Sequence, residues 1–425
     1  MPERGTNAMT LDLRDTARAT FAVALLFGIV YNVSFNVLPP ATMGRLAMVF
    51  LIWHQWPRLR EMCRLFWREN AVLCVVVGLV YLRTVAIFVL ARVPDTTLLQ
   101  RQAYFIFICL LGGVVYAGYL KGDRDRFVRL FAITVATQAA LIVFSFFSPE
   151  YRAWVGSVLV SRGQDEIGAG LRPPGFVNSM SSHISIVQAL GVCAALWVAS
   201  RARSRWQGFT YYLLAVVSTL SAFLVGRTGL AVSGFFWIFF AVVNLRQRRL
   251  VMPLSMAGVL ACFIVFGTLI SDFLIQSQSE NTVSMQYLLH WALEFFATGG
   301  ETRSVGVFKE MPIPPLQWES IIGTGYVERD GIRATGHDSG YIQAYYAMGL
   351  LVTIVFYGAL AWYMYQITRR SDHRLLVGIL SLILFIIEIK EPYTLKYVYV
   401  FFMTSLYFQK RWGERLAAGP AESTA

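Results

Sequence analysis

His337 and Asp338 stand side by side in a glycine-punctuated stretch, Gly323-Thr-Gly-Tyr-Val-Glu-Arg-Asp-Gly-Ile-Arg-Ala-Thr-Gly-His-Asp-Ser-Gly-Tyr341. A histidine takes and returns a proton near neutrality, and an adjacent carboxylate can orient its ring, which suits general-base work. Arg227, in Leu224-Val-Gly-Arg-Thr-Gly-Leu230, and Arg172, in a stretch rich in Gly and Pro, offer planar forks. Such forks hold anionic oxygens without themselves titrating. Glu388, Lys390 and Glu391, followed by Pro392, form a compact charged set. It is either a substrate contact or a self-contained ion-pair cluster. Each residue also has a plainer reading. A loop histidine is usually solvated and idle, Arg227 can snorkel to lipid phosphates or cap a helix, and Arg172 can be an ordinary loop arginine. His183 is a helix-start residue first and a site residue second, and His54, His290 and His373 carry no functional reading.

What must position these residues is a membrane bundle. The chain has 425 residues, 56% hydrophobic and only 15% charged, against roughly 25% charged in soluble domains. Runs of about 20 apolar residues span the hydrocarbon layer, because a helix pairs every backbone N–H and C=O internally. Twelve such runs can be read, near 18–38, 41–56, 71–91, 103–120, 127–148, 182–200, 206–225, 229–244, 251–271, 341–366, 374–389 and 392–409. The second, eighth and eleventh are short. The first lacks a clear small-residue cleavage site and reads as a retained anchor. The expected fold is an all-α polytopic membrane protein, a single transmembrane domain over 1–416 with a disordered tail at 417–425.

Basic residues set the orientation, since short loops rich in Lys and Arg stay in the cytoplasm. With the N-terminus inside, 23 of the 37 basic residues fall in inside segments, and every inside loop is basic. The net charge of +12 is then a topology signal that needs no nucleic acid. Two long segments, 149–181 and 272–340, lie outside; long ordered loops are usually functional. Within the second, 283–296 reads as a short surface helix. The candidate chemistry therefore gathers on the non-cytoplasmic face, while Arg83 falls mid-span and reads as part of a structural intramembrane pair.

Several chemistries are disfavoured. Asp123-Arg-Asp125 has the spacing with which two carboxylates share a metal, but it lies in a short, arginine-packed inside loop with no nucleotide-binding domain to complete it. There is no Walker loop, no Rossmann glycine pattern and no H-E-x-x-H, so the chain reads as metal-free and ATP-independent. The five cysteines lie in or beside spans without paired spacing and read as apolar filler.

The many-span bundle, the large outer loop before the last three spans, Gly226-Arg-Thr-Gly-Leu230, and Ile322-Gly-Thr-Gly followed by Gly336-His-Asp-Ser-Gly-Tyr-Ile-Gln343 resemble the O-antigen polymerase and ligase superfamily. Asp338-Ser-Gly-Tyr341 and Glu388-Ile-Lys-Glu-Pro392 resemble the polymerases, the Wzy type, more than the ligases. The resemblance implies a GT-C glycosyltransferase of the bacterial inner membrane, with both termini cytoplasmic and the active site facing the periplasm. It would move a growing glycan from undecaprenyl diphosphate onto a second lipid-linked repeat unit. No cofactor is implied. The implied partners are undecaprenyl-diphosphate-linked oligosaccharide and membrane lipids, with a chain-length regulator protein as a further candidate. By the same resemblance His337 takes the place of the proposed base, beside Asp338. Arg172 and Arg227 hold the diphosphate, with Arg303 a weaker candidate alongside Arg329 and Arg333. Tyr341, Glu388, Lys390 and Glu391 complete the substrate contacts. A ligase acting on lipid A–core is the alternative enzyme. A flippase or transporter of lipid-linked sugar is the alternative from another class, although the sequence shows no matching halves of the kind transporters carry.

Overall fold

The computed structural model describes residues 13–36, 42–159, 175–177, 182–246, 315–329, 332–335, 339–396 and 398–418. His337, Asp338, Arg172, Arg303, the apolar run 251–271 and the surface-helix segment 283–296 lie outside them, and for Arg227, Arg329 and Arg333 only the backbone is described. Among the described residues, seven helices are long and apolar enough to cross a membrane. The one sheet among the described residues is a small hairpin, Glu328–Arg329 paired antiparallel with Ile332–Arg333.

After α1 (Leu13–Tyr31) comes α2 (Met43–Leu90), 48 residues long. At 1.5 Å per residue α2 is roughly 72 Å of helix, more than twice the hydrocarbon thickness. It is kinked into two arms. Pro57 lies inside the helix and Asn70 leaves helical geometry (φ −131°, ψ 28°). The arms are placed by α3 (Thr97–Tyr119). Arg45, near the start of α2, donates to the Tyr104 hydroxyl early in α3, whereas Gln55 and Met62 reach Gly118 at its far end. Leu90 is then only a short turn from Thr97. The helix therefore runs down α3 and back, its arms matching the apolar runs 41–56 and 71–91. Arg83, on the second arm, has one buried guanidinium nitrogen without a hydrogen-bond partner, and among the described residues no acid pairs with it.

Next come the long helices α4 (Arg124–Phe147), α6 (Ser182–Arg201), α7 (Arg205–Val225) and α8 (Arg227–Arg246), with the short α5 (Pro149–Val158) between the first two. Small residues let them approach: Gly191 of α6 packs on Val135 of α4, and Gly229 of α8 abuts the backbone of Ser185. Close packing of this kind carries helix association where lipid removes the hydrophobic drive.

The apolar run 341–366 is not one helix. After the one-turn α9 (Trp318–Ile322), it divides into α10 (Gly340–Met348) and α11 (Leu350–Arg370), broken at Gly349. Gly349 has φ 83° and Gly323 has φ 93°, and a Cβ on either would collide with the other segment's backbone. Thr324 and Gly325 donate backbone hydrogen bonds, both 3.0 Å, to the carbonyls of Tyr346 and Ala347. The glycines of Gly323-Thr-Gly thus dock the end of the long loop onto the helix break, where only a residue without a side chain fits. The chain closes with α12 (Arg374–Glu388) and α13 (Val398–Ala418).

Five basic segments meet at one end of this bundle. Asp372 bonds both Arg124, at 2.9 Å, and Lys410, at 2.6 Å. Glu69 holds Arg411, the Tyr407 hydroxyl and, at 3.5 Å, Arg370, and Glu61 pairs with Arg415 at 3.2 Å. Arg201 reaches His373 at 2.6 Å. The D-x-D pair belongs to this end. Asp123 caps α4 by accepting from the Arg126 N–H at 2.9 Å, and Asp125 lies 3.9 Å from Arg201.

Candidate functional site

At the opposite end of α12 the chain builds a small polar enclosure. Glu388, the last residue of the helix, is fully buried. Tyr357 of α11 donates to its Oε1 at 2.5 Å, and the backbone N–H of Thr394 donates to its Oε2 at 2.7 Å. A buried carboxylate is tolerated only when its oxygens are satisfied, and here a phenol and an amide engage both. The result is a bracket that folds residues 389–394 back over the helix end. Glu391 within it is 8% exposed.

Two further elements lean on the bracket. A Cβ on Gly340 would collide with Glu388 Oε1 and lie 2.7 Å from Pro392 Cα, so α10 can start there only because residue 340 has no side chain. Tyr341 follows, its hydroxyl donating to the Phe385 carbonyl at 3.0 Å and its ring centroid 4.8 Å from that of Tyr357. On the other side Lys390 reaches α8, donating from Nζ to Thr228 Oγ1 at 2.8 Å. Gly229 then donates its N–H to Ser185 Oγ at 3.2 Å, tying the start of α8 to the start of α6. The first turns of α6, α8 and α10 and the end of α12 therefore converge. Three of those are helix N-termini, whose unpaired N–H groups and dipoles favour anions.

Of the residues singled out from sequence, Tyr341, Glu388, Lys390 and Glu391 come together here. Arg227 opens α8, adjacent in the chain to Thr228, so its backbone is at the enclosure. His337 and Asp338 precede the described Ser339 by one and two residues. Within the charged set, Glu388 braces the loop from inside, while Lys390 bridges to another helix. Sequence reading passed over three participants. Thr228 lies inside Gly226-Arg-Thr-Gly-Leu230, where the neighbouring arginine is the stronger chemical signal. Tyr357 lies mid-span, with no local signal. Arg101 of α3 donates to Gln343 Oε1 at 3.2 Å, one turn into α10.

Helices of this length and apolarity define a multi-pass, α-helical membrane protein. Comparison with protein-family models, curated proteins and solved structures found no match for the chain.

Proposed function

We propose that this protein is a membrane glycosyltransferase of the polymerase type. It transfers a growing glycan from undecaprenyl diphosphate to a hydroxyl of a second lipid-linked repeat unit, on the periplasmic side of a bacterial inner membrane. The observation that carries the reading is the meeting of α8, α10 and the end of α12 at Lys390, Thr228, Gly340 and Glu388, at the opposite end of α12 from the basic segments. Basic loops favour the cytoplasm, so the enclosure faces away from it.

The chemistry follows from the residue types. The acceptor oxygen bonds to the donor's anomeric carbon as the bond from that carbon to the diphosphate breaks. Negative charge grows on the departing diphosphate, and Arg227 and Arg172 neutralise it through fixed forks. His337 takes the acceptor proton, with Asp338 orienting the ring. Tyr341 and Lys390 line the approach to the helix termini. Glu388 acts at one remove, by holding the loop that carries Lys390.

Membranes containing the protein, incubated with a lipid-linked repeat unit, test the reading. Ladders of increasing length support a polymerase. Capping of lipid A–core without ladders makes it a ligase, and translocation without transfer makes it a transporter.

A further inference from the structure

The basic end contains a cleft that the transfer reaction does not use. It lies between the end of α6, the last turns of α8 and the start of α12, about 530 Å³ in volume, and a second cleft of about 320 Å³ shares its wall at Trp197 and Arg201. Arg201 is built into that wall. Its guanidinium lies 5.4 Å from the Trp197 ring centroid and donates to His373 Nε2 at 2.6 Å. His373 can accept only when neutral. Its burial and the neighbouring Arg201 and Arg124 push its pKa down to about 4, which keeps it so. A stacked, hydrogen-bonded fork has already surrendered its rotamer freedom and is set to receive an anion.

The rim is cationic. Arg374 borders the larger cleft and Arg129 and Arg203 the smaller; among the described residues neither Arg203 nor Arg374 has an acidic partner. Two acids also face the clefts. Asp372 is taken up by Arg124 and Lys410, and Asp125 is largely exposed and 3.9 Å from Arg201. Four arginines against these two acids leave a surplus of positive charge. Below the rim the wall turns apolar, through Phe239, Val243 and Leu375, at the level where three helices end.

We propose that this cleft binds the phosphate headgroup of an anionic phospholipid, with its acyl chains along the apolar wall. A basic pocket between helix ends at a membrane surface suits that amphiphile, whereas a free phosphate would leave the apolar wall unused. The assignment stands independently of the transfer reaction, because it is read by binding alone. The full chain in neutral detergent is titrated with phosphatidylglycerol, with phosphatidylcholine of the same chains, and with inorganic phosphate, and bound species are counted by native mass spectrometry. Phosphatidylglycerol is expected to saturate one site at least ten-fold more tightly than phosphatidylcholine. Arg201→Gln should erase that preference and Arg415→Gln should leave it. Arg374→Gln, at the rim and clear of the Trp197 stack, serves if Arg201→Gln does not fold. Equal binding of the two lipids, or equal behaviour of the rim variant and Arg415→Gln, overturns the proposal. Inorganic phosphate displacing phosphatidylglycerol at equal concentration overturns the lipid as the ligand.

Discussion

The ammonium of Lys390 donates a 2.8 Å hydrogen bond to the hydroxyl of Thr228, joining the loop after α12 to the first turn of α8. These residues are 162 positions apart in sequence, so the bond fixes the start of α8, and with it Arg227, relative to Gly340 and the segment before it. Lys390→Met and Thr228→Val should each reduce glycan transfer. The double variant should be little worse than either single one, because both break one link. Hydrogen bonds involving a charged group contribute about 1.5–3 kcal/mol, and thermal unfolding of the four proteins in detergent gives the coupling. Strictly additive losses would show that the two side chains act separately.

Glu388 is expected to matter for folding before it matters for chemistry. Glu388→Gln keeps an acceptor for the Thr394 N–H but exchanges the charge-assisted bond from Tyr357 for a neutral one, destabilising by about 1–3 kcal/mol. Gly340→Ala forces a methyl group against the same carboxylate, an overpacking of about 1–3 kcal/mol. Midpoints of thermal unfolding should fall in both variants. An unchanged midpoint with lost activity would instead make Glu388 a direct substrate contact.

Much of this arrangement was legible in the sequence, and its limits have physical causes. Apolar runs report burial in lipid but not where a helix bends, so the two arms of α2 were visible while their continuity was not. The division of 341–366 was hidden for a related reason. Glycine is common in membrane helices, and nothing local distinguishes Gly349 from Gly358 until Gly323 docks against it. The basic segments were read as sharing a side from charge alone, and Asp372, Glu69 and Glu61, together with the Arg201–His373 contact, gather five of them at one end. The bracket around Glu388 was invisible because its partner, Tyr357, lies 31 residues earlier in an apolar helix.

Sidedness is tested by single cysteines in a background without the native ones. Ser161 and Thr302, in the segments 149–181 and 272–340, should label with an impermeant thiol reagent in intact cells, and Ser204 should be protected. The reverse pattern would place the enclosure in the cytoplasm and remove the basis for a periplasmic reaction.

The arginines distinguish fork from charge. Arg227→Lys and Arg172→Lys should substitute poorly, because an ammonium cannot present two parallel donors. Alanine at either position should lose about 2–4 kcal/mol of transition-state stabilisation, the order seen when an electrostatic donor is removed. Polymer made at the wild-type rate by Arg227→Ala membranes, at matched protein level, would return this residue to snorkelling.

The central claim is transfer from a polyprenyl diphosphate with His337 as base, and purified protein in liposomes supplied with radiolabelled lipid-linked repeat tests it most directly. Wild-type protein should convert the repeat to a ladder, releasing one undecaprenyl diphosphate for each glycosidic bond formed, with no nucleotide added. His337→Ala should lower the rate by about 10²–10⁴ while the protein still inserts and unfolds cooperatively. His337→Gln should do no better, because an amide accepts a hydrogen bond without taking up the proton. Substantial ladder formation by His337→Gln would move the base elsewhere, and a folded wild-type protein that releases no diphosphate and forms no bond would contradict the account as a whole.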